Sequence, residues 1–242
     1  MTSANRPVRI GMIVPSSNTC LEPQSYRILG DRDDVTIHFT RIPVTRIALD
    51  DSSDKQFDPA VMRTAAELLA TADVDVIAWN GTSGSWLGAD HDRELVAEIV
   101  DATGIPATTS TLAYLEAFES FGTERIGLFT PYTEDVNRAV MDSYQRDGIK
   151  TIGHRALGLS DNESFARVTD DEMRPGSLEL AAARPDALVY LCTNLYGANI
   201  AADVEAETGV PVLDSVAVTL WHCLKLAGSP LLAPRWGRLL AG

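Results

Sequence analysis

RIGMIVP, residues 9–15, returns as RIGLFTP at residues 125–131. Both copies read as a short apolar strand that ends at a proline turn. Two more pairs follow. DVIAWNGTSG (75–84) recurs in weaker form as DALVYLCTNL (186–195), and TGIPATTS (103–110) as TGVPVLDS (208–215). Measured from 9 to 125, 75 to 186 and 103 to 208, the offsets are 116, 111 and 105 residues, in the same order along both halves. Between these strands lie segments of helical period, among them PAVMRTAAELLATA (59–72) and RELVAEIVDAT (93–103). Strands alternating with helices give an α/β fold with parallel sheets. The duplication predicts two pseudo-symmetric, doubly wound lobes, each with a parallel four-stranded sheet. We place residues 1–115 plus 216–242 in the N-terminal lobe and 116–215 in the C-terminal lobe, the stretch VAVTLWHCLKLAG (216–228) packing back across the first lobe.

Composition narrows the function classes. A chain of 242 residues, 45% hydrophobic, buries a substantial core without staples. Its 34 acidic and 20 basic side chains give a formal charge of −14, a field that repels nucleic acid and anionic membranes. No apolar run approaches the length of a membrane span, and the first residues lack the order of a signal peptide, so a cytoplasmic location is expected. The features leave room for a homo-oligomer. Cys20, Cys192 and Cys223 are scattered without CxxC spacing, and His38, His91, His154 and His222 form no metal-binding pattern. Neither a disulfide framework nor a metal centre is expected.

In open parallel sheets ligands bind beyond the carboxyl ends of strands, where connections diverge. NGTSG (80–84) and LCTNL (191–195) both sit at such ends, so two facing lobes share one cleft. In the repeat alignment Gly81 is the counterpart of Cys192, and Thr82 of Thr193. One half carries a thiol where the other carries no side chain.

These residues also carry a family resemblance over nearly the whole chain. RIGMIVPSSNT (9–19), Thr82-Ser83, GLFTPYTEDVN (127–137), LGLSDNESFARV (157–168), YLCTN (190–194) and GVPVLDSVAVTLW (209–221) together resemble the aspartate/glutamate racemase superfamily, and within it the maleate isomerase and arylmalonate decarboxylase branch. The resemblance implies an enzyme acting on carbon acids without a cofactor, commonly with two cysteines facing each other across the substrate carbon. Inverting a stereocentre needs an acid or base on each face. A lone Cys192 opposite Gly81 is similar to the decarboxylase pattern. Loss of carbon dioxide from a malonate-type dicarboxylic acid leaves an enediolate, and a single thiol protonates one face. Thr82, Ser83, Tyr132, Thr193 and nearby backbone amides are the expected donors to that enediolate. Asn18 and Asn162 resemble asparagines that hold substrate carboxylates in the isomerase branch, and Pro15 shapes the adjoining loop. A cysteine at Gly81 is expected to restore the second face and confer racemisation.

Structural readings stand beside these. Free cysteine is among the most buried residue types, and Cys223, on an apolar helical stripe with Trp221, reads as core. His222 reads as a surface or second-layer polar group. Thr82 and Ser83 suit a helix cap, Asn18 an Asx turn, and Tyr132 a packed turn aromatic. The acidic runs at 31–34 and 50–54 read as solvated loops. GTSG (81–84) lacks the lysine and spacing of a P-loop. The rival functions are a maleate cis-trans isomerase or Asp/Glu-type racemase and, in another class, a non-catalytic dicarboxylate-binding protein.

Overall fold

The computed structural model describes residues 6–44 and 59–241; the acidic run at 50–54 lies outside them. Two four-stranded sheets form. The first holds β1 (Val8–Pro15), β2 (Val35–Ile42), β3 (Val76–Trp79) and β4 (Ala107–Thr109) in the order β2-β1-β3-β4. The second holds β5 (Arg125–Thr130), β6 (Lys150–Ala156), β7 (Ala187–Tyr190) and β8 (Val212–Asp214) in the order β6-β5-β7-β8. It is the same permutation, and each pairing is parallel. Parallel sheets carry their crossover helices on both faces, which is why β3 and β7 are apolar and buried along their whole length. In each lobe the chain turns opposite ways from the central pair, β1/β3 and β5/β7, and so opens a crevice at their carboxyl ends.

Among the described residues the helices are α1 (Leu21–Leu29), α2 (Pro59–Ala70), α3 (Gly84–Leu87), α4 (Ala89–Thr103), α5 (Ser110–Phe121), α6 (Glu134–Arg146), α7 (Asn162–Phe165), α8 (Asp170–Ala182), α9 (Ala201–Thr208) and α10 (Ser215–Leu226). None is long and apolar enough to cross a membrane.

The duplication extends to individual contacts. A methyl group added at Gly11 would meet Leu69 and Val74, and one at Gly127 would meet Leu180, Pro185 and Leu188. Leu69 and Leu180, like Val74 and Pro185, are 111 residues apart, the offset of the second repeated motif. The shared glycine of RIGMIVP and RIGLFTP lets a helix lie close on the strand. Asp75 accepts the Arg9 N–H at 2.8 Å, and Asp186 accepts the Arg125 N–H at 2.8 Å, closing the start of each central strand pair.

Two helices tie the lobes together. Tyr114 on α5 donates to the Tyr190 carbonyl of β7 at 2.8 Å and bonds Ser215 Oγ at 3.0 Å. From the other half, α10 returns toward the first lobe: Thr219 donates to Ser110 at 2.9 Å, His222 bonds Thr108 at 2.9 Å, and Lys225 pairs with Glu116. Cys223 is fully buried on α10, and Arg32 of the acidic run 31–34 pairs with Asp34.

Asp214 caps α10, its Oδ1 accepting from the Val216 and Ala217 N–H groups at 2.9 and 3.0 Å. Burial pushes its carboxyl up to about 7, against the pull of backbone donors. An unfolded Asp titrates near 3.9, so between about pH 4 and about pH 7 the folded chain holds a proton that the unfolded chain has released. Stability therefore falls as pH rises through that window.

Two outcomes follow. Asp214→Asn, which keeps a capping oxygen, should lose less stability than wild type between about pH 5 and about pH 8 in chemical denaturation; equal losses would contradict the assignment. Tyr114→Phe should cost on the order of 1 kcal/mol through a lower denaturation midpoint at unchanged slope, whereas an unchanged midpoint would show that this bond contributes nothing.

Candidate active site

The carboxyl ends of the central strands converge on one small cavity between the lobes. Pro15 closes β1, Gly81, Thr82 and Ser83 follow β3, Tyr132 follows β5, and Cys192 and Thr193 follow β7; all seven line it, with Val44, Trp79, Trp86 and Asn162. Wider depressions elsewhere, such as that between Arg93, Phe118 and Asp147, hold none of these groups.

Cys192 is 3% exposed and accepts the Asn194 N–H at Sγ, 3.3 Å away. Burial pushes its thiol up to about 12; hydrogen bonds from Tyr132 and the Asn194 amide pull the other way, and the Asp214 charge adds to the rise. At neutral pH the sulfur carries its proton. Burial also pushes the Tyr132 phenol well above its ordinary range, so it too is a neutral donor. Its hydroxyl lies 2.7 Å from Thr82 Oγ1, and its ring meets Trp86 and Phe165 edge to face. Tyr132 thus couples the first lobe's threonine to the second lobe's cysteine.

Ser83 makes no side-chain cap to α3; its Oγ accepts from Trp79 Nε1 at 3.2 Å. With that lone pair taken, its own proton is left to point elsewhere. Asn162 lines the cavity and donates to Ser17 Oγ at 2.7 Å. Asn18 stands one contact back. Its Oδ1 accepts the Cys20 and Leu21 N–H groups at 3.0 and 2.8 Å at the start of α1, and its Nδ2 donates to Thr193 Oγ1 at 3.3 Å. Asn18 therefore orients a cavity residue rather than lining the cavity.

Two residues carry more than sequence reasoning gave them. Asn194, fully buried, accepts the Thr19 and Cys20 N–H groups at 2.9 and 3.0 Å and donates to the Asn162 carbonyl at 2.5 Å. It pins the loop behind Cys192 to the first lobe; its place two residues after the cysteine was the available signal. The other is Trp79. A Cβ built at Gly81 would lie 2.3 Å from Trp79 Cζ2 and 2.5 Å from Cε2. The expectation that Gly81 leaves bare backbone open to a new cysteine is thereby corrected, because an indole already occupies that space. Among the described residues the apolar wall, unnamed from sequence, consists of Pro15, Val44, Trp79 and Trp86.

Comparison with known proteins agrees with this geometry. The chain is 28% identical to an arylmalonate decarboxylase from Bordetella bronchiseptica, over 99% of this chain and 98% of that protein. It is also 28% identical to a maleate isomerase from Pseudomonas putida, over 97% of each. A solved structure of a Pseudomonas putida maleate isomerase superposes with a TM-score of 0.88 at 27% identity, covering 97% of this chain and 98% of that one. The family model described as arylmalonate decarboxylase matches residues 10–240, and with that span this chain belongs to the arylmalonate decarboxylase family.

Proposed function

We propose that this protein is a cofactor-independent decarboxylase of malonate-type dicarboxylic acids in which Cys192 is the acid. One observation carries the reading: a buried, protonated thiol stands on one wall of a cavity whose equivalent position on the other wall is Gly81. Taking up and returning a proton on opposite faces needs two such groups; delivering one proton needs one.

In this reading one substrate carboxylate is retained among neutral donors: Thr82, Ser83, Tyr132, Thr193 and Asn162. The other faces Pro15, Val44 and Trp86, where it is poorly solvated. As the bond to that carboxylate breaks, carbon dioxide leaves and the electron pair stays behind, spread over the α-carbon and the retained carboxylate as an enediolate. Hydroxyl and amide donors aimed at that charge contribute on the order of 3 kcal/mol each. The Cys192 S–H then transfers its proton to the α-carbon, and the resulting thiolate regains a proton from water. A thiol held near 12 is a weak acid that suits a strongly basic carbanion, and its thiolate reprotonates readily.

A second reading, cis-trans isomerisation of maleate, draws on the maleate isomerase relatives and on Asn162. It requires a nucleophile that Gly81 does not supply. A third, binding without turnover, uses the same cavity. We carry forward as proposals a small dicarboxylate as ligand, a homo-oligomer, a cytoplasmic location, and the division into residues 1–115 plus 216–242 and 116–215, which the returning helix α10 supports.

Substituted malonates offered beside maleate and amino acids separate these readings, and carbon dioxide release from the malonates alone is expected. Cys192→Ala should lower turnover by about 1,000-fold or more while the fold and ligand affinity persist; undiminished turnover would remove Cys192 from the chemistry. Tyr132→Phe and Thr82→Val should each lower kcat by about 100-fold with smaller changes in KM, the mark of donors used chiefly in the transition state. Equal rises in KM at constant kcat would reduce them to ground-state binding groups.

A further inference from the structure

The repeat sets Trp79, the last residue of β3, opposite Tyr190, the last of β7, again 111 residues apart. Their rings go different ways. Tyr190 packs edge to face on Phe129 and donates to Ser177 of α8 at 2.9 Å, which leaves the space at residue 192 to a cysteine. Trp79 swings its six-membered ring over Gly81 and anchors its N–H on Ser83. It is 1% exposed and is one of the residues that line the cavity. An absent second acid therefore does not leave a hole. The space is filled by a rigid, aprotic ring edge whose only N–H is engaged by Ser83, so neither a side-chain acid nor water has room there.

Resting on the decarboxylase reading, we propose that Trp79 is the residue that makes this site one-sided, walling off the face of the substrate carbon opposite Cys192 so that protonation occurs only from the cysteine face. Glycine at 81 is then a consequence of the indole, since any side chain there collides with it.

The test uses 2-methyl-2-vinylmalonate in deuterium oxide with the full chain. Wild type should give one enantiomer of the α-deuterated monocarboxylic acid. Trp79→Ala, at whatever rate it turns over, should give a mixture, because solvent reaches the second face. A Trp79→Ala product as enantiopure as that of wild type would overturn the proposal. A second arm does not depend on turnover and so separates failure of this inference from failure of the decarboxylase reading. Gly81→Cys alone should lower Tm or leave the new thiol unreactive toward iodoacetamide, as read by peptide mass spectrometry. Gly81→Cys combined with Trp79→Ala should restore folding and label at least about 10-fold faster. Should Gly81→Cys melt at the wild-type Tm and label as fast as the double variant, the indole does not fill that space and the inference is wrong, whether or not malonates are substrates.

Discussion

Exclusion of water from one sulfur atom governs this molecule. Removing a thiol from solvent without a cation beside it penalises the thiolate, and the proton stays. Here the exclusion is done by two sheets related by duplication, each contributing the carboxyl ends of its central strands to one crevice. Cys192 is kept protonated by the same packing that forms the cavity, so acid strength and substrate enclosure are one property. Asn194 matters for that reason. By joining the loop behind the sulfur to Thr19 and Cys20 of the other lobe and to the carbonyl of Asn162, it fixes the sulfur against both lobes at once.

A duplicated scaffold places equivalent backbone on both sides of a ligand, and differences between the copies then determine the chemistry. The donors are unequal: Thr82 and Ser83 lie on one side, Thr193 and Asn162 on the other, and Tyr132, bonded to Thr82, lines the same cavity as Cys192. With a formal charge of −14 on the chain and no Lys or Arg among the described residues that line the cavity, those residues offer an anion neutral dipoles. That arrangement suits a reaction in which charge moves within the substrate, since donors fixed in advance need little reorganisation as it does so.

Much of this was legible in the sequence because duplication writes the same constraint twice. The pair RIGMIVP and RIGLFTP marks the two central strands; that Leu69 and Leu180 lie close on the glycine they share emerged only with the structure. The alignment of NGTSG with LCTNL set Gly81 opposite Cys192 and Thr82 opposite Thr193, and the family resemblance added Tyr132; all of them line one cavity. What could not be read was side-chain direction. Trp79 and Tyr190 occupy the same place in their strands, and no periodicity distinguishes an indole that bends over the next loop from a phenol that turns toward α8. Asn18 is a mixed case: its local bonds to the Cys20 and Leu21 N–H groups are the Asx turn expected of it, whereas its bond to Thr193 is a contact across 175 residues of sequence.

The protonation state of Cys192 is the quantity on which the account turns. Infrared difference spectra between wild type and Cys192→Ala, recorded from neutral pH to about pH 9, would isolate its S–H stretch. The account predicts a band that disappears in the variant and persists in wild type above the ordinary thiol range. Absence of that band from wild type at neutral pH would mean that the sulfur is a thiolate, and Cys192 could not then be the acid.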